Sequence, residues 1–205
     1  LSSIKILVSS MVIFWSIRLG FFLFRRILRD GVDRRFSKIR LSFHRFLLSW
    51  ILQATWIYIV SSPALFIITR IDLEAGFNLL TYLGFVIWFL GLTIEVIADT
   101  QKSIFRMDPQ NSSGFITSGL WSLCRHPNYF GEILLWIGFY VSVLPFIDGT
   151  EHVVIFSPLL TYYLLTRVSG INLLEEYAEN KWGDMDLYII YRNSTPKLFP
   201  FVGKK

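Results

Sequence analysis

One cysteine, three histidines and seven prolines are spread over 205 residues, and each scarcity excludes something. A lone Cys124 can close no disulfide within the chain and can supply no cysteine cluster to a metal. Charge is scarce too: 17% of the residues are Asp, Glu, Lys or Arg, where an average soluble domain carries about 25%. No charged residue interrupts the 24 residues 46–69 or the 20 residues 75–94. A disordered chain, a disulfide scaffold and a secreted protein are therefore excluded. The opening apolar stretch has no basic start and no small-residue cleavage pattern, so it is not a signal peptide. The chain begins with Leu1, and the expectation is that part of the protein precedes it.

What is present is apolar and blocked. Hydrophobic residues make up 53% of the chain, and the mean hydropathy is +0.50. About 20 apolar residues in a helix cross a bilayer core. The pattern predicts an all-α fold, a polytopic transmembrane helical bundle that forms a single membrane domain over 1–205. Five spans are expected near 4–24, 46–69, 75–98, 127–144 and 153–174, with 175–205 as a cytosolic tail. Pro63 predicts a kink in the second span, because a proline inside a helix removes one backbone hydrogen bond. There is no internal repeat or low-complexity tract.

Charge sorts the connections. Residues 25–45 hold eight basic residues (Arg25, Arg26, Arg29, Arg34, Arg35, Lys38, Arg40 and Arg45) against Asp30 and Asp33. The connections at 70–74 and 145–152 are neutral to acidic, with Arg70, Asp72 and Glu74 in one and Asp148 and Glu151 in the other. Basic loops stay in the cytosol, which puts 25–45, 99–126 and the tail on that side. The pI of 9.4 follows from this placement. Membrane lipids, anionic ones included, are the expected partners, and nucleic acid is not.

Ionisable residues inside or at the ends of spans point to function, because a charge in the membrane is expensive. Glu95, Asp99, Lys102 and Arg106 are spaced i, i+4, i+7 and i+11, one face of a helix. That face reads either as a helix end with internal pairing or as a ligand surface. In Gly119-Leu-Trp-Ser-Leu-Cys-Arg125-His126-Pro127-Asn128-Tyr129-Phe-Gly131-Glu132, Pro127 suits a first helical turn. The unpaired N–H groups there, with Arg125 and His126, would hold phosphate or another anion; a structural histidine is the alternative. Asn128 and Glu132 share a face, and Glu132 requires a partner, whether Asn128, a cation or a ligand. Gly131 leaves room for a flat ligand or a neighbouring helix. Arg18 either snorkels to the interface or turns inward to a carboxylate or phosphate. The tail, with Glu175, Glu176, Tyr177, Lys181, Trp182, Tyr188, Tyr191 and Arg192, reads as a cover over the cytosolic face or as a solvated amphipathic segment.

ADTQK at 98–102, GLWSLCRHPNYFGE at 119–132, VSGINLLE at 168–175 and the opening WSIRLGFFLFRRILRDGVDRRF at 15–36 together resemble the steroid 5-alpha-reductase C-terminal family. The likeness is strongest to its DUF1295 branch. RHPNY is also similar to the isoprenylcysteine carboxyl methyltransferases and phospholipid methyltransferases, which use S-adenosylmethionine. The resemblance implies an NADPH-dependent reductase that saturates a C=C bond conjugated to a carbonyl in a hydrophobic, lipid or steroid-like substrate. It implies further spans upstream of Leu1 and a cofactor site facing the cytosol, in the endoplasmic reticulum of a eukaryote or the inner membrane of a bacterium.

By the same resemblance Asp99 and Arg106 hold the nucleotide, Asn128 and Glu132 lie near the nicotinamide, and Arg18 meets phosphate. Arg125, Glu175 and Tyr191 complete the expected cofactor-binding set, and no metal is expected. The family's carbonyl-polarising Glu falls upstream of Leu1, and Trp15 stands in place of the matching Tyr, so no catalytic residue is assigned. Glu95 departs from the Asn of the steroid enzymes. Glu175-Glu176 resembles the paired glutamates of the methyltransferases, which keeps an S-adenosylmethionine-dependent methyltransferase as the alternative, beside a non-catalytic membrane protein.

Overall fold

The computed structural model describes residues 2–31, 41–71, 76–111 and 113–202. Arg34, Arg35, Lys38 and Arg40 of the basic segment, with Asp33, lie outside them, as do Asp72, Glu74, Ala75 and the side chains of Arg29 and Asp30. The described residues are helical without strands: α1 (Ser3–Asp30), α2 (Phe43–Thr69), α3 (Leu79–Met107), α4 (Pro127–Val143), α5 (Phe156–Tyr163), α6 (Ile171–Trp182) and α7 (Asp186–Ser194). Among them, five stretches are long and apolar enough to cross a membrane: Ser3–Leu28, Phe43–Thr69, Leu79–Met107, Pro127–Phe146 and Gly149–Trp182. The chain is a polytopic transmembrane bundle.

Each long helix is apolar on more than one face. In α1 the stripe Ile4, Val8, Met11 and Trp15 is buried, while Phe14, Ile17, Phe21 and Leu28 point outward. A soluble helix would be polar on that outer face; a helix in lipid is not. The buried stripe packs on Val60, Ala64 and Ile67 of α2, on Trp88 of α3, and on Leu135, Trp136, Phe139 and Val143 of α4. Pro63 is buried inside α2, which continues through it as one element. Asn78 starts α3 later than the hydropathy suggests, because its side chain accepts a hydrogen bond from Thr81 N at 3.0 Å. The helix then runs past Ala98 to Met107, so the charged stripe belongs to the spanning helix itself.

The closest approach in the bundle is between α3 and α4. Lipid offers apolar side chains no reason to leave it for each other, so helices in a membrane associate through close packing at small residues. Gly84 and Gly91 lie one heptad apart on α3, and Gly131 and Gly138 do the same on α4. A Cβ on Gly84 would meet Ser142 N at 2.2 Å, and one on Gly138 would meet Trp88 N at 2.3 Å. Two backbones at that distance fix the register of every side chain beyond the last glycine pair.

The fifth crossing is interrupted, where the apolar run 153–174 suggests one helix. A 3₁₀ stretch, Gly149–Ile155, leads into α5, a π-helical turn follows at Leu164–Val168, and α6 starts afresh at Ile171. Gly170 sits in the break, where a Cβ would lie 2.2 Å from Leu165 O. At the opposite end of the bundle, the two connections with low positive charge meet. Arg70 pairs with Glu151, donates to Phe146 O at 2.6 Å, and accepts at its own carbonyl from Lys5.

Candidate functional site

The glycine contact of α3 and α4 puts Gly131 against the start of the charged stripe: a Cβ there would meet Glu95 N at 2.7 Å. One turn further on each helix, Glu95 and Asp99 face Asn128 and Glu132. Arg18 of α1 reaches into the same space and ion-pairs with both Glu95 and Asp99. Asn128 Nδ2 donates to Asp99 Oδ1 at 3.2 Å. Glu132 takes its hydrogen bonds from two indoles, Trp136 Nε1 at 2.9 Å and Trp15 Nε1 at 3.2 Å. Glu95 Oε2 is buried without a hydrogen-bond partner. A carboxylate oxygen without a donor in an apolar bundle costs about 1–3 kcal/mol, which a ligand N–H or O–H could offset.

These groups line a cavity of about 380 Å³. Its polar wall is Arg18, Arg26, Lys102, Arg106 and the four groups above; its apolar wall includes Leu19, Phe22, Trp56 and Leu165. Cations and carboxylates on one side and an aliphatic and aromatic wall on the other suit a ligand that is charged at one end and greasy at the other.

A second cavity of about 110 Å³ lies on the far side of Lys102 and Arg106, which line both. Arg125, His126 and Glu175 meet at its edge. Glu175 Oε1 accepts from His126 Nε2 at 2.7 Å, and its Oε2 lies 2.8 Å from Arg125 Nη1. Burial pushes the His126 imidazole below its usual value, and Glu175 counters this in part. The backbone N–H of Arg125 donates to Pro196 O at 2.8 Å. Tyr191 Oη donates to Trp121 O at 2.6 Å, and Trp182 Nε1 donates to Ser113 O at 2.6 Å. Burial raises the Tyr191 phenol, so it stays a donor. Two aromatic side chains of the tail are thus pinned to the loop between α3 and α4.

Residues 2–195 match the family described as "Protein of unknown function (DUF1295)". The chain belongs to the DUF1295 family. It is also 41% identical over 46 residues to a protein of Ustilaginoidea virens described as "Probable O-methyltransferase ustE". That stretch is 22% of this chain and 16% of the relative. No solved structure matches.

In this DUF1295 protein the eight residues singled out from sequence divide between the two cavities. Arg18, Asp99, Asn128 and Glu132 line the larger, Arg125, Glu175 and Tyr191 the smaller, and Arg106 both. Arg18 turns inward and does not snorkel. The partner expected for Glu132 is corrected, and the alternatives left open at Gly131 and beside His126 are narrowed. Glu132 is held by Trp15 and Trp136, and Asn128 spends its amide on Asp99. Gly131 admits a neighbouring helix, not a flat ligand. The anion beside Arg125 and His126 is the protein's own Glu175. The sequence reading missed Trp136 as a polar partner. Its spacing of i+4 from Glu132 is the signal that could have found it.

Proposed function

We propose that this DUF1295 protein is a membrane oxidoreductase that uses NADPH to saturate a C=C bond conjugated to a carbonyl in a hydrophobic, lipid-like substrate. The supporting observation is one cavity wall that combines Lys102, Arg106 and Arg26 with the unpartnered Glu95 Oε2 and with Asn128. The donor set fits the cofactor. Lys102 and Arg106 would neutralise phosphate oxygens. Glu95 would accept from a carboxamide N–H or a ribose O–H, and Asn128 would orient it. Arg18 is engaged by two carboxylates, so its part is to hold Glu95 and Asp99 in place, not to meet phosphate. Bound there, NADPH would supply a hydride to one carbon of the substrate double bond. Leu19, Phe22, Trp56 and Leu165 would receive the apolar body and keep water out.

A specific observation favours a second reading. The 41% match is to a protein named as a methyltransferase, and S-adenosylmethionine is cationic, which also suits Glu95 and Glu132. It has no phosphate, so it would make less use of the cationic side chains Lys102 and Arg106. Thermal stability in detergent separates the two. A ligand at about 100 times its Kd adds roughly 2.7 kcal/mol of stability. NADPH should raise the melting temperature of the parent and do so less for Arg106→Ala. Stabilisation by S-adenosylmethionine alone would replace the reductase with a methyltransferase. No shift with either would leave a non-catalytic membrane protein.

A further inference from the structure

Glu95 and Glu132 reach each other across the contact of α3 with α4. Gly131, the residue before Glu132, lies against the Glu95 backbone: a Cβ there would meet Glu95 N at 2.7 Å and Glu95 Cβ at 3.0 Å. The two carboxyls are within hydrogen-bond reach of one another. Both residues are buried, and both line the larger cavity. Two bare carboxylates so placed in an apolar bundle repel, and neither has a hydrogen to offer the other.

Their other partners leave this charge unbalanced. Glu95 Oε1 is taken by Arg18, which also holds Asp99. Glu132 Oε1 accepts from Trp136 and Trp15, and its Oε2 lies 3.3 Å from Trp15 Nε1. Indole N–H groups are neutral, so among the described residues three carboxyls share the one guanidinium in direct contact with them. Lys102 and Arg106 stand about two and three turns beyond Glu95 on α3, and Arg26 about two turns beyond Arg18 on α1. Glu95 Oε2 is left buried with no donor. A proton between the two carboxyls removes the repulsion and gives that oxygen its missing partner.

We infer that Glu95 and Glu132 hold one proton between them, and that this pair is the proton donor of the reaction. The donor role rests on the reductase reading; the shared proton does not. Leu19, Phe22 and Trp56 line the same chamber, which puts the acid beside the apolar body of the substrate. Saturating the conjugated bond adds a hydride to its β carbon and a proton to its α carbon. The hydride, with its two electrons, comes from NADPH, which leaves as NADP⁺. The proton comes from the pair: an O–H bond breaks and a C–H bond forms. Both carboxyls are then charged, and Arg18, already on Glu95, steadies that state until water returns a proton after product leaves. A carboxyl oxygen accepts in two directions, so Glu95 keeps its bond to Glu132 and still takes a donor from the cofactor.

Infrared spectra of the whole protein in detergent, without cofactor, read the proton directly. A carboxylic acid has a C=O band that a carboxylate lacks and that moves in deuterium oxide. The parent should show this band at neutral pH. Glu95→Gln and Glu132→Gln should each lose it, because the remaining carboxyl no longer faces a like charge. Melting temperature checks that each variant is folded. No band in the parent, a band that survives both variants, or one lost only in Asp99→Asn overturns the shared proton. Donation is read separately, from NADPH oxidation with progesterone as an apolar enone probe. Glu132→Gln should keep the NADPH-induced rise in melting temperature and lose about a hundredfold or more in rate, the usual contribution of a positioned acid. Parental rates in both folded variants overturn the donor role. If the band is present but NADPH neither stabilises the parent nor is oxidised by it, the reductase reading fails and the donor role with it, while the shared proton stands.

Discussion

Gly91 and Gly131 touch backbone to backbone: a Cβ on Gly91 would lie 2.6 Å from Gly131 O, and one on Gly131 would lie 2.7 Å from Gly91 O. Neither neighbour is a flexible side chain, so nothing can yield without moving a helix. Gly91→Ala should push α3 from α4 and destabilise by about 1–3 kcal/mol, the usual range for overpacking. A fall in melting temperature in detergent, with loss of cofactor-induced stabilisation, is the expected result. An unchanged melting temperature would mean the helices are not in this contact.

Arg18 holds two buried carboxylates. Removing one partner of a buried ion pair costs about 3–5 kcal/mol, because the other is left charged and unpaired. Arg18→Ala should fall in that range by thermal or denaturant unfolding. Arg18→Lys should recover part of it only, since an ammonium lacks the fork that spans Glu95 and Asp99. Glu95→Gln in the Arg18→Ala background should then restore stability relative to Arg18→Ala alone.

Glu132 is buried and receives both indole N–H groups. Glu132→Gln keeps an oxygen for one of them and removes the charge. The variant should express and melt near the parent while losing most turnover, once a substrate assay exists. Parental turnover would remove Glu132 from the site.

pH should act through His126. Its imidazole is held below the usual 6.5 by burial, with Glu175 opposing and Lys102 and Arg125 adding to the shift. The unfolded chain therefore binds this proton at a higher pH than the folded chain. Stability is full above about pH 6.5 and declines as the pH falls below it toward the folded value. Melting temperature measured from neutral to mildly acidic pH should show this slope, and His126→Gln should flatten it. An identical slope in the variant would assign it to other groups.

Topology can be read with a single engineered thiol. Cys124 is buried and its thiol is pushed up to about 11, so it gives little background labelling near neutral pH. A cysteine at the exposed Ser194 of α7 should react with a membrane-impermeant reagent from the cytosolic side. Reaction from the opposite side alone would invert the assignment made from loop charge.

Much of the fold was legible in the apolar runs, because a membrane imposes length and composition on each crossing. The runs 4–24, 46–69 and 127–144 lie within Ser3–Leu28, Phe43–Thr69 and Pro127–Phe146. The run 153–174 lies within the fifth stretch, Gly149–Trp182, but hydropathy is blind to the π-helical turn at Leu164–Val168. Gly170, where a Cβ would lie 2.2 Å from Leu165 O, follows two residues beyond that turn. At the site, i+4 arithmetic placed Glu95 with Asp99 and Asn128 with Glu132, since it works along a single helix. It could not show that Arg18, 77 residues from Glu95, closes on that face. Nor could it show that the site has two chambers, because the tail folds back onto the loop at 113–121 by tertiary contacts alone.

Arg70 gathers α1, α2 and the α4–α5 connection at the end remote from both cavities, through Lys5, Phe146 and Glu151. A structure riveted at one rim and hollow at the other has its compliance at the hollow rim. Any displacement of α1 that widened the chambers would meet its resistance at this rim, where Lys5 ties the start of α1 to the end of α2.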